Sequence, residues 1–304
     1  MTRIGVVGAG RVGAVLAAAL RAAGHEITGA AGESPASRTR LETLLPGVRA
    51  DKPTAVSRSC DLLLLTVPDD MLSNVVTMLA ASGAIRSGQQ VVHTSGKHGV
   101  AVLEPAARVG ATVLAMHPAM TFTGTDVDLD RLPGCVYGVT AGPGARALAE
   151  SLVTDLRGTV AWVEEERRAL YHAGLAHGAN HLVTLVAQAL ELLAESGAAD
   201  PAATLRPLLT AALDNALSFG DAALTGPIVR GDVETVRAHV RELAATSPAT
   251  LATYVAMARA TADRAVLDGR LLPIRAAALL RVLDAATPAA DQPTSSAPVR
   301  RPGR

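Results

Sequence analysis

Arg3-Ile4-Gly5-Val6-Val7-Gly8-Ala9-Gly10-Arg11-Val12-Gly13 opens the chain and runs without a proline into Ala14-Val15-Leu16-Ala17-Ala18-Ala19-Leu20. A short apolar run, three spaced glycines and a helix-forming stretch read as a strand, a tight turn and a helix start. Each glycine has a physical task there. Gly8 permits the sharp turn, Gly10 lets the backbone approach a pyrophosphate, and Gly13 lets the helix pack closely on the strand. Arg11 and Val12 then lie in the first turn of the helix, whose N–H groups would face the phosphates.

Working outward, His25 to Ala31 reads as a second strand and Gly32 to Arg38 as the loop after it. That loop discriminates between nicotinamide cofactors, because a carboxylate takes the ribose hydroxyls whereas Arg and Ser accommodate a 2′-phosphate. Glu33 has the spacing for NAD, while Ser34, Ser37, Arg38 and Arg40 could form an NADP site. The cluster favours NADP, with NAD still open. Asp61-Leu62-Leu63-Leu64-Leu65-Thr66-Val67-Pro68 is an apolar run ended by proline, the pattern of a strand buried on both faces of a parallel sheet. Its end, Val67-Pro68, should lie beside the cofactor. Met71 to Ala81 reads as a helix, and strands are expected at Gln90–Thr94, Thr112–Met116, Val136–Thr140 and Thr159–Val163. Strands alternating with helices predict an α/β domain with a doubly wound, mainly parallel sheet over residues 1–163.

Strand signals stop at Glu164. Long helical stretches follow, Glu164–Ser196, Pro201–Gly220, Asp232–Ala245, Ser247–Leu267 and Ile274–Ala286, so an all-α domain is expected over residues 164–286. Residues 287–304, rich in Pro, Ser and Arg, read as a disordered tail.

Composition narrows the function classes. Of 304 residues, 49% are hydrophobic, enough for a sizeable core. The 28 basic side chains balance the 28 acidic ones, which argues against a polyanion partner such as nucleic acid and against an anionic membrane surface. Cys60 and Cys135 lie far apart in apolar settings without a CxxC motif, as buried thiols in a reducing compartment would. With no leader pattern and no apolar run of membrane-spanning length, a soluble cytoplasmic protein is expected.

In an open α/β sheet, ligands bind outside the carboxyl ends of the strands. Two loops at such ends carry polar groups, His93-Thr94-Ser95-Gly96-Lys97-His98-Gly99 and Met116-His117-Pro118-Ala119-Met120-Thr121-Phe122. Ser95 and His117 are candidate substrate contacts, with Lys97 a candidate anion contact or proton donor; Ser95 could equally be a helix cap and His117 a buried, hydrogen-bonded histidine. A third group is Tyr171-His172-Ala173-Gly174-Leu175-Ala176-His177-Gly178-Ala179-Asn180-His181. Helical spacing places His172, Ala176 and Asn180 along one stripe, and His177 with His181 along another. His172 and Asn180 could touch substrate or serve helix packing. His177 and His181 have metal-ligand spacing, but no acidic residue completes an HExxH motif, and no metal is expected. Finally, Gly226-Pro227 halts a helix before Arg230, which could hold a substrate carboxylate or pair with Asp232 or Asp221.

With these residues in place, the sequence resembles the 6-phosphogluconate-dehydrogenase-like superfamily, an N-terminal Rossmann domain followed by a helical domain, up to about Ala286. More narrowly it is similar to a family joining a Rossmann-like domain to a domain of unknown function. The glycine fingerprint, Ser95-Gly96, His117-Pro118, Tyr171-His172, Asn180, Leu224-Thr225-Gly226-Pro227 and Arg230-Gly231-Asp232 carry that likeness. It implies a relation to ketopantoate reductases, hence NADPH-dependent reduction of a small 2-oxo acid by a homodimer. One position departs from the pattern. Hydroxyacid dehydrogenases and ketopantoate reductases carry a helix lysine four residues before an asparagine; Asn180 matches the asparagine, but Ala176 stands at the lysine position. The proton would then come from His172, Lys97 or His117. His117-Pro118 also resembles prephenate dehydrogenases, and the layout resembles the imine-reducing pyrroline-carboxylate reductases. A non-catalytic NADP-binding regulatory or assembly protein is the remaining alternative.

Overall fold

The computed structural model of the chain describes residues 1–32 and 34–286; Glu33 and the tail 287–304 lie outside the described residues. Two compact units divide at Leu182/Val183, later in the chain than the change from strands to helices at Glu164.

In the first unit, β1 (Arg3–Val7), α1 (Arg11–Ala22) and β2 (Glu26–Ala31) form the opening βαβ segment. The helices α2 (Pro35–Leu44) and α3 (Pro53–Arg58) lead to β3 (Leu62–Leu65), and α4 (Asp69–Ala81) leads to β4 (Gln90–His93). After α5 (Glu104–Arg108) come β5 (Thr112–Pro118), α6 (Val127–Arg131), β6 (Val136–Ala141), α7 (Arg146–Asp155) and β7 (Thr159–Trp162). The seven strands form one sheet in the order β2-β1-β3-β4-β5-β6-β7, parallel throughout except for the antiparallel β5–β6 pair. The mainly parallel sheet expected from the alternation of elements is therefore present.

The apolar run in β3 shows why the sheet is buried on both sides. Leu62 and Leu64 join one core with Ile4, Val6, Leu16 and Leu114, whereas Leu63 and Leu65 join the opposite core with Val7, Leu72, Val76 and Val91. Alternate side chains point to opposite faces, so four consecutive leucines serve both layers. Cys60 and Cys135 are buried free thiols. The stretch after β2, expected as a loop, instead starts α2 at Pro35. Ser34 caps that helix, its Oγ accepting the Ser37 N–H at 3.1 Å, and proline is favourable at the first helical position.

The helical stretch expected from Glu164 to Ser196 is not one α-helix. It comprises a 3₁₀ turn at Glu165–Arg167, α8 (Arg168–Leu175), a π-helical turn at Ala176–Asn180 and α9 (His181–Glu195). The π turn coincides with Ala176-His177-Gly178-Ala179-Asn180, where Gly178 weakens the preference for the regular 3.6-residue helix. It also breaks the regular stripe expected to align His172, Ala176 and Asn180.

The second unit, from Val183, takes in most of α9 and then α10 (Pro201–Phe219), α11 (Pro227–Arg230), α12 (Val233–Thr246), α13 (Pro248–Leu267) and α14 (Pro273–Ala285). Its core is built by α11 to α14, through Ile228, Val236, Leu243, Val255, Leu279 and Leu283. Neither α9 nor α10 contains a buried residue. Among the described residues, no helix is long and apolar enough to cross a membrane.

One side chain ties α8 to the sheet. Arg168, 1% exposed, donates from Nε to Thr140 Oγ1 at 2.7 Å and from Nη2 to Gly138 O at 3.0 Å and Ala115 O at 3.2 Å. Nη1 donates to Ser95 O at 3.3 Å. Arginine suits this position because its planar fork reaches several acceptors at once while staying charged. Arg168→Met should destabilise the protein by about 2–4 kcal/mol, since buried acceptors lose their donors. Urea unfolding is the measurement, with Arg168→Lys expected to recover part of the loss.

Candidate functional site

The carboxyl ends of β1, β3 and β4 lie in register: Val7 pairs with Leu65, and Leu65 with His93. The glycine turn follows β1 at this edge. Gly8 and Ala9 both donate their N–H groups to Ala31 O at 2.9 Å, so the turn is anchored on the end of β2. Thr66, just beyond β3, closes it from the other side by donating its hydroxyl to Gly8 O at 2.5 Å.

The glycines differ in what surrounds them. Gly8 has φ +105°, and a Cβ there would lie 2.6 Å from the Thr66 carbonyl carbon. A Cβ on Gly13 would overlap Thr66 Oγ1 and Gly8 O, so this glycine serves close packing of α1 on the strand ends. At Gly10 a Cβ would meet nothing nearer than Gly8 O at 3.9 Å. That position is open rather than a packing contact. The first helical hydrogen bond back to the turn comes from Ala14 N–H to Gly10 O at 3.1 Å, which leaves the N–H groups of Arg11, Val12 and Gly13 ahead of the intrahelical ladder. The turn therefore fits the pyrophosphate of a dinucleotide.

The groups expected around that ligand have different surroundings. Val67 is half-buried, while Pro68 is exposed and precedes α4. The Ser34 hydroxyl is engaged in the α2 cap and lies 2.9 Å from Ser37 Oγ. Arg38 is exposed on the first turn of α2. A Cβ on Gly124 would lie 2.6 Å from Arg40 Nε and 2.9 Å from Arg11 Cγ, so these two arginines flank the same loop. Glu33, the competing carboxylate, is outside the described residues.

A second group gathers where β4 and β5 end. His93 is fully buried: its Nε2 donates to Gly99 O at 2.7 Å and its Nδ1 accepts the Ser95 N–H at 3.1 Å. Burial pushes this imidazole down to about 4. Ser95, also buried, accepts the His98 N–H on Oγ at 3.1 Å, a turn within the loop rather than a helix cap. His117 lies near the end of β5, and its Nδ1 is 3.1 Å from Tyr171 Oη. His172 stands edge-on to His117 with ring centroids 6.2 Å apart. Gly96 sits between them: a Cβ there would come within 2.7 Å of His172 Cδ2 and 3.0 Å of His117 Nε2. Burial, with the Arg168 charge next, holds His117 down to about 4, so at neutral pH it is an uncharged imidazole.

Ser95, His117 and His172, three of the residues expected at the site, are thus brought together within the first unit. Lys97 is exposed on the β4 loop and Asn180 is exposed at the end of the π turn. Arg230 is exposed at the end of α11, in the second unit. Its two suggested partners are engaged elsewhere: Asp221 pairs with Arg264 at 2.6 Å and Asp232 caps α12 through Thr235 N–H at 3.1 Å. His177 and His181 are exposed, with Nδ1 atoms 3.2 Å apart, and among the described residues no cluster of three or more His, Cys, Asp or Glu is arranged for a metal.

Two residues of the site went unrecognised in the sequence. Arg168 supports it from beneath, and the Glu165 carboxylate accepts the N–H groups of Val100 at 2.7 Å and Ala101 at 3.2 Å, fixing the end of the β4 loop. Both sit in Glu164-Glu165-Glu166-Arg167-Arg168, a charge run that reads as a solvated helix start. Tyr171 was visible beside His172, and its space is provided by Gly138, where any Cβ would overlap the phenol.

His93 makes the pH dependence of stability testable. The unfolded chain takes up a proton near the ordinary value of about 6.5, whereas the folded chain does so only near 4. Stability contributed by the neutral form is complete above pH 6.5 and is lost progressively as the pH falls toward 4, on the order of 2–3 kcal/mol by pH 4.5. In urea unfolding at pH 7 and 4.5, wild type should lose more stability than His93→Gln by about that amount.

Comparison with known proteins agrees with this architecture. A Rossmann-like domain model matches residues 1–118, and a model described as a domain of unknown function (DUF2520) matches residues 135–261. None of the curated proteins matches the sequence. Among solved structures, a Bacteroides fragilis protein provisionally named an NADP oxidoreductase is 22% identical with a TM-score of 0.74, over 86% of this chain and 98% of that one. The NADP-bound pyrroline carboxylate reductase of Plasmodium falciparum is 12% identical with a TM-score of 0.57, over 87% and 97%. An imine reductase of Streptomyces aurantiacus is 16% identical with a TM-score of 0.55, over 93% of each chain. At these identities the likeness is one of fold, and it extends through both units. The chain thus matches a Rossmann-like domain model in its first part and a DUF2520 model in the part that follows.

Proposed function

We propose that the chain is an NAD(P)H-dependent reductase of a small carbonyl compound, using NADPH in preference to NADH. The observation that carries this reading is the convergence, at the carboxyl edge of one sheet, of an open glycine cradle after β1 and the Ser95, Gly96, His117, Tyr171 and His172 group after β4 and β5. Reduced nicotinamide supplies a hydride; the protein must hold the carbonyl, stabilise charge developing on its oxygen and deliver a proton. In this reading Gly8, Gly10, Arg11, Val12 and Gly13 receive the pyrophosphate, Val67 and Pro68 border the cofactor, and Arg38 with Arg40 favours the 2′-phosphate. Ser34 takes a lesser part because its hydroxyl already caps α2. Ser95 and Asn180 orient the substrate, and His117 or His172 provides the proton. Lys97, exposed on its loop, is available to an anionic substrate group; Arg230, exposed at the end of α11, is a carboxylate-binding candidate within the second unit.

A 2-oxo acid such as ketopantoate fits these cationic candidates. A cyclic imine is the second reading, motivated by the resemblance in fold, over nearly whole chains, to a pyrroline carboxylate reductase and an imine reductase. Without turnover, a non-catalytic NADP-binding role is what remains. NADPH should raise the thermal midpoint of the wild type, and Gly13→Val should abolish that shift by displacing α1 from Thr66. Loss of NADPH absorbance on mixing with a panel of 2-oxo acids and cyclic imines then identifies the substrate class; no loss with any member overturns the reductase reading.

We further propose a homodimer formed through α9 and α10. These two helices contain no buried residue and expose Val183, Leu208, Leu213, Leu217 and Phe219. Large apolar side chains exposed together on two helices in this way call for cover. Light scattering at micromolar concentration should give twice the chain mass, and Leu213→Glu with Leu217→Glu should give the monomer; a monomeric wild type overturns the proposal.

A further inference from the structure

The site holds a tyrosine to which the proposed reaction assigns no role. Tyr171 Oη lies 3.1 Å from His117 Nδ1, while the opposite nitrogen, Nε2, borders the space that Gly96 leaves by having no side chain. The two ring nitrogens of His117 therefore face different surroundings, one a phenol and the other Gly96 of the β4 loop.

The direction of the bond follows from its neighbours. Burial, opposed by Arg168, keeps Tyr171 above its ordinary pKa, so it is a phenol with a proton to donate. The phenol oxygen packs against Gly138, and His117 Nδ1 is the acceptor within reach of its O–H. His117 is uncharged at neutral pH, so accepting on Nδ1 puts its single proton on Nε2. The charged or titratable groups bearing on His117 are Arg168 and His172, which disfavour a second proton, and Asp69, which favours one less strongly.

We propose that Tyr171 and His117 form a proton relay in which the phenol holds His117 in the Nε2–H tautomer and replaces the proton that His117 gives to the substrate. The inference rests on the reductase reading above. As the carbonyl carbon accepts hydride from the reduced nicotinamide, the C=O π pair moves onto oxygen, and that oxygen takes the Nε2 proton. His117 Nδ1 takes the Tyr171 proton in the same sense, so the imidazole stays neutral and changes tautomer. The phenolate left behind lies beside the Arg168 guanidinium, 5.9 Å from the ring centroid, and recovers its proton from water. The relay supplies an acid at a site where Ala176 stands in place of the expected lysine, without requiring a charged imidazolium. Tyr171 acts through His117 and is a positioning residue.

Tyr171→Phe removes the hydroxyl and keeps the ring, so it isolates the relay. Three measurements on the full-length protein decide it: NADPH affinity by fluorescence titration, the tautomer of His117 by long-range ¹⁵N–¹H NMR at pH 7.5, and steady-state kinetics with whichever panel member the wild type reduces. The expected result is unchanged NADPH affinity, an Nε2–H tautomer in wild type that becomes mixed in Tyr171→Phe, and a kcat lower by about 10- to 100-fold with KM within about twofold. An Nδ1–H tautomer or an imidazolium in wild type overturns the relay, as does a Tyr171→Phe variant with unchanged kcat. A wild type that binds NADPH but reduces no panel member overturns the reductase reading and the relay with it, whereas turnover with an unaffected variant overturns the relay alone.

Discussion

The candidate site depends on a buried guanidinium that, among the described residues, has no carboxylate as its hydrogen-bond partner. Among these residues Arg168 donates to three backbone carbonyls and a threonine hydroxyl, drawn from the β4 loop, β5 and β6. Burial lowers its pKa from the ordinary arginine value, yet a guanidinium starts so high that it keeps its charge. A cation held by neutral dipoles leaves a positive field in its surroundings. That field reaches His117 and Tyr171 and acts on them in the same direction, against a charged imidazole and toward a phenolate. One residue thereby fixes the position of α8 and sets the protonation preferences of the two groups next to it.

Where strand direction changes, the same residue becomes possible. β5 and β6 are antiparallel, so Gly138 lies opposite His117 across the ladder, and both are within reach of α8. Ala115 O and Gly138 O then converge on a single Nη2. Gly96 and Gly138 complete the arrangement by subtraction, because each leaves room that a neighbouring ring occupies or borders. The glycines of the opening turn act by the same principle, with Gly13 making room for packing and Gly10 leaving its position open.

The fold was largely legible in the sequence, because its signals are local. Four leucines before Thr66-Val67-Pro68 have the pattern of a strand covered on both faces, and the spacing of Gly8, Gly10 and Gly13 marks the turn. The site was legible only in part. Ser95 and His117 could be chosen as chemically capable residues at strand ends, and His172 by its place on a helix, but Arg168 and Glu165 are hidden in a run of five charges whose ordinary reading is a wet surface. Burial of one of them follows from contacts with residues 28 to 73 positions away, which no local pattern records. The regular helix expected through Ala176 is interrupted by a π turn at Ala176–Asn180, where Gly178 weakens the local helical preference.

By itself, then, the sequence determined the order of elements, the double-sided sheet and the glycine turn, since each arises from periodicity and from what glycine alone permits. Tertiary structure decided which polar groups gather at the strand ends and which serve as scaffold. Ser34 became a helix cap, His93 a neutral buried strut, and Tyr171 the partner of His117. These outcomes depend on desolvation and on distances between residues far apart in the chain, and both exist only once the sheet edge and α8 have come together.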